Sequence, residues 1–399
     1  MTLSKSKLTR RRFLQGLTLG AGALSADRTL RSLADGLTRL GLPVPWYKGQ
    51  VRTTYNYCDI CPWRCGIVVK SVNGRVYKID GNPQDPKSRG MLCARGQGGV
   101  SFLYDPDRLK QPMIRMGERG EGKFRNATWE EALDYAASKM LKIKEQYGPE
   151  SVAFLGHTSG DFWFTDYLSQ AWGSPNSAKP SVSVCTSPRE EAALITFGRA
   201  IGNHEPVDWE STRCVVLIGT HIGEDARNTM MQDLAQARAN GAKLIVVDPR
   251  FSSAAMKADY WLPIKPGADT ALLLAWMNVL IAENLYDAEF IQKWTVGFDQ
   301  LVEHVRSFTP EWASPITDLP AEKIRQSARE MGRNRPQSVI VPGRHVVWYG
   351  NDTQRMRAVY IVNALLGAYG RPGGLYFSKA PFLEEIPHPP WQAASGAGG

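Results

Sequence analysis

The stretch YNYCDICPWRCGIVV, Tyr55–Val69, carries three cysteines in a C-x2-C-x3-C arrangement. Cys58, Cys61 and Cys65 are close enough in sequence for one short loop to surround a single centre. A fourth thiolate from Cys93, in RGMLCARG, would complete ligation by four sulfurs, which both zinc and a [4Fe–4S] cluster accept. Structural zinc sites more often pair two C-x2–4-C knuckles, and the second knuckle is missing. The spacing therefore favours an iron–sulfur cluster, with structural zinc and disulfides as alternatives.

The residues between the third and fourth cysteines have the pattern of a β-hairpin. In GIVVKSVNGRVYKIDGNP, residues 66–83, apolar and polar side chains alternate on both sides of Asn73-Gly74. Asn-Gly is a favoured two-residue hairpin turn because both positions tolerate a positive φ. The sequence therefore predicts a small β module as the scaffold of the cysteines.

After Asp107 the pattern changes to alternating helices and strands. TWEEALDYAASKMLKIKEQYG is typical of an amphipathic helix with Thr128 as its N-cap and Gly148 as its stop. SVAFLG and CVVLIGT are short apolar runs suited to buried strands, and residues 231–250 give a helix followed by a third such strand. This order predicts a parallel sheet that is covered on both faces.

Ligands of parallel sheets bind at the carboxyl ends of the strands. Gly219, Thr220, Asp248 and Arg250 lie at two such ends. Asp248 suits a guanine edge or a ribose hydroxyl, and the neighbouring backbone N–H groups suit phosphate. The alternative is an ordinary Asp-Pro turn. No G-x-G-x-x-G fingerprint is present in the sequence, so NAD is not favoured.

Taken together, these motifs resemble those of the molybdopterin oxidoreductases of the dimethyl sulfoxide reductase family. The resemblance begins at C-x2-C-x3-C-x27-C followed by Ala94-Arg95-Gly96, and continues through YDPDRL and TWEEA. It extends from about Val51 to Phe377 and is greatest to the N-terminal portion of polysulfide and thiosulfate reductase catalytic subunits. It implies that the four cysteines hold a [4Fe–4S] cluster.

The fold implied by the resemblance is α/β: a small N-terminal [4Fe–4S] β module followed by two Rossmann-like αβα domains. The family's C-terminal β-barrel is expected to be absent, and the chain alone is expected to hold the bis-pterin cofactor poorly. The predicted parts are a twin-arginine signal and linker (1–49), the cluster module (50–107), a discontinuous αβα domain on the second pterin side (108–154 and 335–385), an αβα domain with the guanine-dinucleotide site (155–334) and a disordered tail (386–399).

The resemblance also implies the cofactor residues. Arg95 would lie between the cluster and the pterin, and strand ends of this kind hold a molybdenum (or tungsten) bis-molybdopterin guanine dinucleotide. The segment IKPGAD, with Gly267 and Asp269, is similar to a further nucleotide-binding loop of the family. Cys185, in SVSVCTSPREEA, aligns with the residue that ligates the metal. Without the resemblance, Cys185 is a candidate nucleophile or a buried thiol, whereas Cys214 is predicted to be a core residue.

The loop CTSP, the segment GRHVVWYGND and His157 are most similar to enzymes that act on sulfur compounds such as polysulfide, thiosulfate or tetrathionate. Arg344 would hold an anionic sulfur chain, and His157 would supply a proton or a hydrogen bond. A structural salt bridge and a capping histidine are the alternatives for these two residues. The alternatives for the whole chain are a non-catalytic electron-transfer or scaffold protein of a respiratory complex, and a zinc module on an α/β binding domain.

The charge of the chain is concentrated at its N-terminus. Its 399 residues have a formal charge of +9, and five basic residues precede the first acid, Asp27. The segment TRRRFL, with Arg10 and Arg11, resembles a twin-arginine export signal, which predicts a periplasmic or extracytoplasmic location; the alternative is a basic, solvated N-terminal helix. The remaining charge is too diffuse to indicate nucleic-acid binding. The resemblance implies two partner subunits, one an iron–sulfur electron-transfer protein and the other a quinone-reactive membrane protein.

Overall fold

The computed structural model describes residues 49–61, 63–156, 162–178, 187–201, 206–220, 222–224, 228–343 and 350–377. This part of the chain divides into two compact units. The first contains the described residues up to Cys58 together with Cys65–Asp105, and the second contains Asp59–Arg64 and the described residues from Pro106 onward. Among the helices described, none combines the length and the apolar character needed to cross a membrane.

The first unit is built on an antiparallel sheet of three strands. These are β1 (Val51–Tyr57), β2 (Gly66–Val72) and β3 (Arg75–Gly81), in that spatial order, and two short helices follow, α1 (Ala94–Gln97) and α2 (Gly99–Leu103). The predicted hairpin is confirmed, because Val72 pairs with Arg75 across Asn73 and Gly74. Both turn residues have positive φ, 50° and 77°, as an Asn-Gly turn requires.

The second unit begins with short strands and a long helix. The helix predicted between the N-cap Thr128 and the stop Gly148 is confirmed. The Thr128 side chain accepts a hydrogen bond from the N–H of Glu131, and Gly148 ends the helix with φ 85°. The elements of this part are β4 (Met113–Arg115), β5 (Phe124–Asn126), α3 (Trp129–Tyr147), β6 (Phe154–Leu155), α4 (Phe162–Trp172), β7 (Ser177–Ala178) and α5 (Ser187–Phe197).

Helix α3 presents an apolar stripe to solvent. None of its residues is buried, and Trp129, Leu133 and Tyr147 are 70%, 61% and 63% exposed. Apolar residues recur along it at spacings of three and four, which places them on one face. We call this face the α3 stripe: Trp129, Leu133, Ala136, Met140, Ile143 and Tyr147.

A four-stranded parallel sheet forms the centre of the second unit. The remaining elements are β8 (Cys214–Ile218), α6 (Met231–Ala239), β9 (Lys243–Val247), β10 (Tyr260–Leu262), α7 (Asp269–Ala282), α8 (Ala288–Trp294), α9 (Phe298–Val305), α10 (Pro310–Thr317), α11 (Ala321–Arg333), β11 (Ser338–Pro342) and α12 (Asp352–Leu365). The spatial order of the strands is β10-β9-β8-β11, and every pair is parallel. The predicted parallel sheet is therefore confirmed.

Both faces of this sheet are covered. Cys214, Val216 and Ile218 of β8 belong to one core cluster, and Val215 and Leu217 belong to another. Because successive side chains of a strand point to opposite faces, the two clusters lie on the two sides of the sheet. Helix α7 is buried along most of its length, which fits its nearly uniform apolar sequence.

The position of β11 differs from the predicted partition, which assigned residues 335–385 to a domain with residues 108–154. Strand β11 pairs with β8, with Ser338 opposite Cys214, and so completes the central sheet. All five residues of β11 are buried, as expected for a strand that pairs within a parallel sheet whose two faces are covered by other elements. The sheet that follows α3 in the chain contains, within the described ranges, only β6 and β7.

Candidate cofactor sites

The central sheet has a topological switch point between β8 and β11. From β8 the chain proceeds to β9 and β10 on one side, and it later returns to place β11 on the other side. In open parallel sheets, ligands bind outside the carboxyl ends of the strands at such a point. Gly219 follows β8 and Gly343 follows β11, so these two glycines mark the crevice.

The two glycines let the strand ends approach closely. The N–H of Gly343 donates a hydrogen bond to the carbonyl of Ile218, 2.9 Å away. A Cβ atom on Gly343 would lie only 1.7 Å from the carbonyl oxygen of Gly219. Gly219 itself has φ +59°, and Thr220, which follows it, is 4% exposed. The absence of a side chain on Gly219 and Gly343 therefore lets the ends of β8 and β11 pack closely against each other.

Asp248, at the end of β9, carries a buried acceptor atom that no described residue bonds. The residue is 5% exposed, and its Oδ1 accepts the N–H of Arg250 at 2.9 Å. Its carbonyl accepts the indole N–H of Trp261 at 2.9 Å. Its Oδ2 is buried and has no hydrogen-bond partner within the described structure. Because a buried acceptor without a donor is costly, this atom fits a ligand N–H or O–H group, such as a guanine edge or a ribose hydroxyl.

A buried ion pair borders the same crevice. Gly267, with φ +86°, turns the chain into α7, and Asp269 is the first residue of that helix. Arg355 of α12 places Nη2 3.3 Å from Asp269 Oδ1 and 3.2 Å from where a Cβ of Gly219 would lie. Its Nε is buried and has no partner among the residues that the structure describes. Arg355 thus brings Gly219 and Asp269 together.

Sequence reasoning missed Arg355 and Gly343. Gly343 begins the segment GRHVVWYGND, so the signal that could have found it was a glycine directly after a buried strand. Arg355 lies in DTQRMR, where charged and polar neighbours suggest a solvated helix face. Only the packing of α12 against α7 shows that this arginine faces inward.

Arg250 has a protein partner at the rim of the site. Its Nη2 lies 2.6 Å from Oε2 of Glu224, and its side chain is 56% exposed. A hydrogen bond from the N–H of Ser253, together with the charge of Arg250, holds the pKa of Glu224 below its ordinary value. Because Glu224 already pairs with its guanidinium, Arg250 is less available to a ligand than the buried Oδ2 of Asp248.

Three of the predicted cluster cysteines lie in the first unit. The N–H of Cys58 donates to the carbonyl of Cys65 at 2.8 Å, and Cys93 is the N-cap residue of α1. Cys61 lies in the segment Asp59–Arg64, which is assigned to the second unit. All four are free thiols, so the disulfide alternative is not realised. In the described ranges no group of three or more His, Cys, Asp or Glu side chains is arranged to hold a metal ion. Four free cysteines are nevertheless a donor set that a [4Fe–4S] cluster accepts.

The other predicted site residues have different outcomes. Arg95 lies on α1, two residues after Cys93, and is exposed. Cys214 is a core residue as predicted, and burial raises the pKa of its thiol to about 12. The three predicted catalytic residues lie outside the described residues: His157, Cys185 and Arg344.

Fold, crevice and cysteines together define a cofactor-binding α/β protein with an iron–sulfur module. The chain belongs to the molybdopterin oxidoreductase family: the family's Fe4S4 domain matches residues 51–105, and the molybdopterin oxidoreductase domain matches residues 108–394. These domains carry a [4Fe–4S] cluster and a molybdenum–pterin cofactor.

Among its relatives, the chain is 36% identical over 372 residues to the thiosulfate reductase molybdopterin-containing subunit PhsA of Salmonella typhimurium, covering 93% of this chain and 48% of that protein. It is 31% identical to the dimethyl sulfoxide reductase DmsA of Escherichia coli, covering 82% and 45%. Acetylene hydratase from Pelobacter acetylenicus has a similar structure, with a TM-score of 0.68, 28% identity and coverage of 78% and 43%. The chain spans about half the length of the curated relatives it matches.

Proposed function

We propose that this chain is the catalytic part of a molybdenum oxidoreductase that acts on sulfur compounds such as polysulfide, thiosulfate or a tetrathionate-like anion. We further propose that the crevice between β8 and β11 holds a molybdopterin guanine dinucleotide. The observation that carries the proposal is the buried Oδ2 of Asp248, which has no hydrogen-bond partner among the described residues and lies beside the switch point. A buried acceptor of this kind destabilises the folded protein unless a donor group, here from a ligand, forms a hydrogen bond with it.

The residues of the crevice have separate roles in this proposal. Asp248 accepts hydrogen bonds from the guanine or from a ribose hydroxyl. Gly219 and Gly343 let the two strand ends pack together beside the proposed pyrophosphate, with their N–H groups bonded to the carbonyls of Val247 and Ile218. Asp269, held by Arg355, fixes the start of α7 at the edge of the site. When bound, the pterin-held metal supplies the redox chemistry, and the protein supplies binding, orientation and electrostatics.

The residues proposed to touch the substrate lie outside the described structure. Cys185 would ligate the metal, since a soft thiolate suits a thiophilic centre. Arg344 would supply a fixed positive charge for an anionic sulfur chain. His157 would donate a proton or a hydrogen bond. The choice of sulfur substrates is supported by the 36% identity to the thiosulfate reductase PhsA and by a 27% identity to a sulfite dehydrogenase chain of Allochromatium vinosum.

Location and partners complete the proposal. The segment TRRRFL supports export of the folded, cofactor-loaded chain to the periplasm by the twin-arginine route. There it would exchange electrons, through the [4Fe–4S] cluster and Arg95, with an iron–sulfur protein and a quinone-reactive membrane protein. Replacing Arg10 and Arg11 by Lys keeps the charge but removes the arginine pair. Normal periplasmic yield of that variant would show that the chain does not use this route.

The decisive experiment measures metals and nucleotide in protein isolated from cells that make the pterin cofactor. We expect molybdenum or tungsten, and guanosine monophosphate released when the pyrophosphate is hydrolysed. Asp248→Ala should lower the nucleotide content, whereas Cys185→Ala should abolish thiosulfate and polysulfide reduction. Cys214→Ala is the matched cysteine control, because Cys214 lies in the core.

Two results would contradict the proposal. Iron without molybdenum, tungsten or guanine nucleotide, in protein isolated together with its partner proteins, would favour the non-catalytic electron-transfer role; their loss from the chain isolated alone would reflect the poor retention of the cofactor expected above. Unchanged turnover in Cys185→Ala would place the chemistry elsewhere.

A further inference from the structure

A single carboxylate joins the two cysteine-bearing segments of the first unit. Asp85 lies in the loop between β3 and α1, and its Oδ2 accepts the N–H of Gly66 at 3.0 Å. The same oxygen accepts the N–H of Ser88 at 3.0 Å and the Ser88 hydroxyl at 2.5 Å. Ser88 is completely buried. Asp85 therefore links the start of β2 to the loop that leads to Cys93.

The local sequence makes room for this carboxylate. A Cβ atom on Gly66 would lie 2.6 Å from Cβ of Asp85, so only glycine allows the approach. The loop also closes tightly on itself, since a Cβ on Gly81 would lie 2.2 Å from the carbonyl oxygen of Gly90. Asn82 adds a second link, because its N–H donates to the carbonyl of Gly66 at 2.9 Å.

From Asp85 the hydrogen bonds lead to cysteines in both directions. Gly66 directly follows Cys65, whose carbonyl accepts the N–H of Cys58 at 2.8 Å. On the other side, the carbonyl of Ser88 accepts the N–H of Met91 at 2.9 Å, two residues before Cys93. Asp85 is thus the side chain that links the Cys58 and Cys65 segment to the loop before Cys93, beside the backbone link through Asn82.

The bridging group is a carboxylate rather than a neutral acid. Burial alone would raise the pKa of Asp85, but the hydroxyl of Ser88 and the N–H groups of Gly66, Ser88 and Lys87 hold it below its ordinary value. Three donors converge on one oxygen, which only the ionised form satisfies fully. A fixed negative charge therefore lies next to the residue that follows Cys65.

We propose that Asp85 is a positioning residue for the [4Fe–4S] cluster of this chain. It fixes Cys58 and Cys65 relative to the loop that carries Cys93, and its charge tunes the cluster through the N–H of Gly66. The proposal rests on the cluster module alone. It is therefore tested independently of the pterin site and of the sulfur substrates.

The test compares Asp85→Asn with Asp80→Asn in the full chain with its cluster loaded. Asp80 is the matched control, because it is an aspartate of the same unit that is paired at the surface with Lys70 and Lys78, 3.0 and 3.3 Å away. Iron release to a chelator should be about tenfold faster or more in Asp85→Asn, since a charge-assisted bridge is lost, and unchanged in Asp80→Asn. The midpoint potential of the cluster should become more positive in Asp85→Asn only, because loss of a nearby negative charge favours the reduced cluster.

A second variant separates positioning from folding. Ser88→Ala keeps the carboxylate but removes one of its three donor groups, so its iron release should fall between wild type and Asp85→Asn. If Asp85→Asn does not fold, the release rate of Ser88→Ala still decides the question. Wild-type iron release in Ser88→Ala, or wild-type release and potential in Asp85→Asn, would overturn the proposal. Equal shifts of the potential in Asp85→Asn and Asp80→Asn would do the same, because the effect would then reflect net charge.

Discussion

Replacement of Arg355 by methionine tests how the crevice is held together. The side chains of Arg355 and Asp269 are 9% and 11% exposed, and their closest atoms are 3.3 Å apart. Methionine retains most of the apolar length of arginine but removes the guanidinium. The Asp269 carboxylate would then remain buried at the start of α7 without its cationic partner.

The expected loss of stability is large because the remaining charge, on Asp269, is buried away from water. Breaking a buried ion pair by removing one partner costs about 3–5 kcal/mol of unfolding free energy. The double variant Arg355→Met/Asp269→Asn removes both charges and should recover at least half of that loss. Arg306→Met is the matched control, since Arg306 pairs with Glu303 in a bridge whose side chains are 71% and 68% exposed, and its removal should cost about 0–1 kcal/mol.

Urea denaturation followed by far-UV circular dichroism measures these differences. We expect Arg355→Met to lower the midpoint with an unchanged slope, and Arg306→Met to leave it nearly in place. If the urea midpoint of Arg355→Met equals that of the control, or if the double variant is no more stable than the single one, the ion pair of Arg355 and Asp269 does not stabilise the fold.

Three further predictions concern the second unit. Gly343→Ala should either prevent soluble folding or lower the free energy of unfolding by more than the about 1–3 kcal/mol of ordinary overpacking, because the new Cβ would lie 1.7 Å from the carbonyl oxygen of Gly219. A wild-type melting temperature for this variant would exclude the close approach of β8 and β11. Asp259 is held ionised: burial alone would raise its pKa, but the Leu244 N–H and Arg238 hold it below its ordinary value. Its contribution is therefore complete above about pH 4 and is lost as the pH falls through the folded-state pKa, so Asp259→Asn should destabilise the protein at neutral pH and flatten its acid transition in pH-dependent unfolding. Because burial raises the pKa of Cys214 to about 12, the native protein should resist alkylation at this residue at pH 8 until it is unfolded, which mass spectrometry detects; fast labelling of native protein would contradict the buried position.

Local patterns were sufficient to predict much of the fold. The Asn73-Gly74 turn, the Thr128 cap and the buried strands β8 and β9 depend on neighbouring residues, and each is present as predicted. Gly219 and Asp248 were predicted as candidate site residues from their positions at the ends of those strands, because ligands of parallel sheets bind at the carboxyl ends of the strands.

The sequence patterns could not predict which strands or side chains from distant parts of the chain pair with each other. Strand β11 joins β8 although Ser338 and Cys214 are far apart in the chain, and nothing in SVIVP specifies its neighbour. Arg355 and Asp85 were missed for a related reason. Each acts through a contact with a distant segment, and each lies in a locally polar stretch that has the pattern of solvated surface.

The α3 stripe has a consequence for the motions of the chain. Helix α3 buries none of its residues, so it is held by its own hydrogen bonds, by its cap and by side-chain contacts such as that of Lys144 Nζ with the carbonyl of Trp172, 2.7 Å away. Helix α7, by contrast, is fixed by a core that includes Leu272, Leu273 and Trp276. Amide hydrogens of α3 should therefore exchange with solvent long before those of α7, and a protease should cut α3 first. Slower exchange along Trp129–Tyr147 would report directly on any surface that comes to cover the stripe.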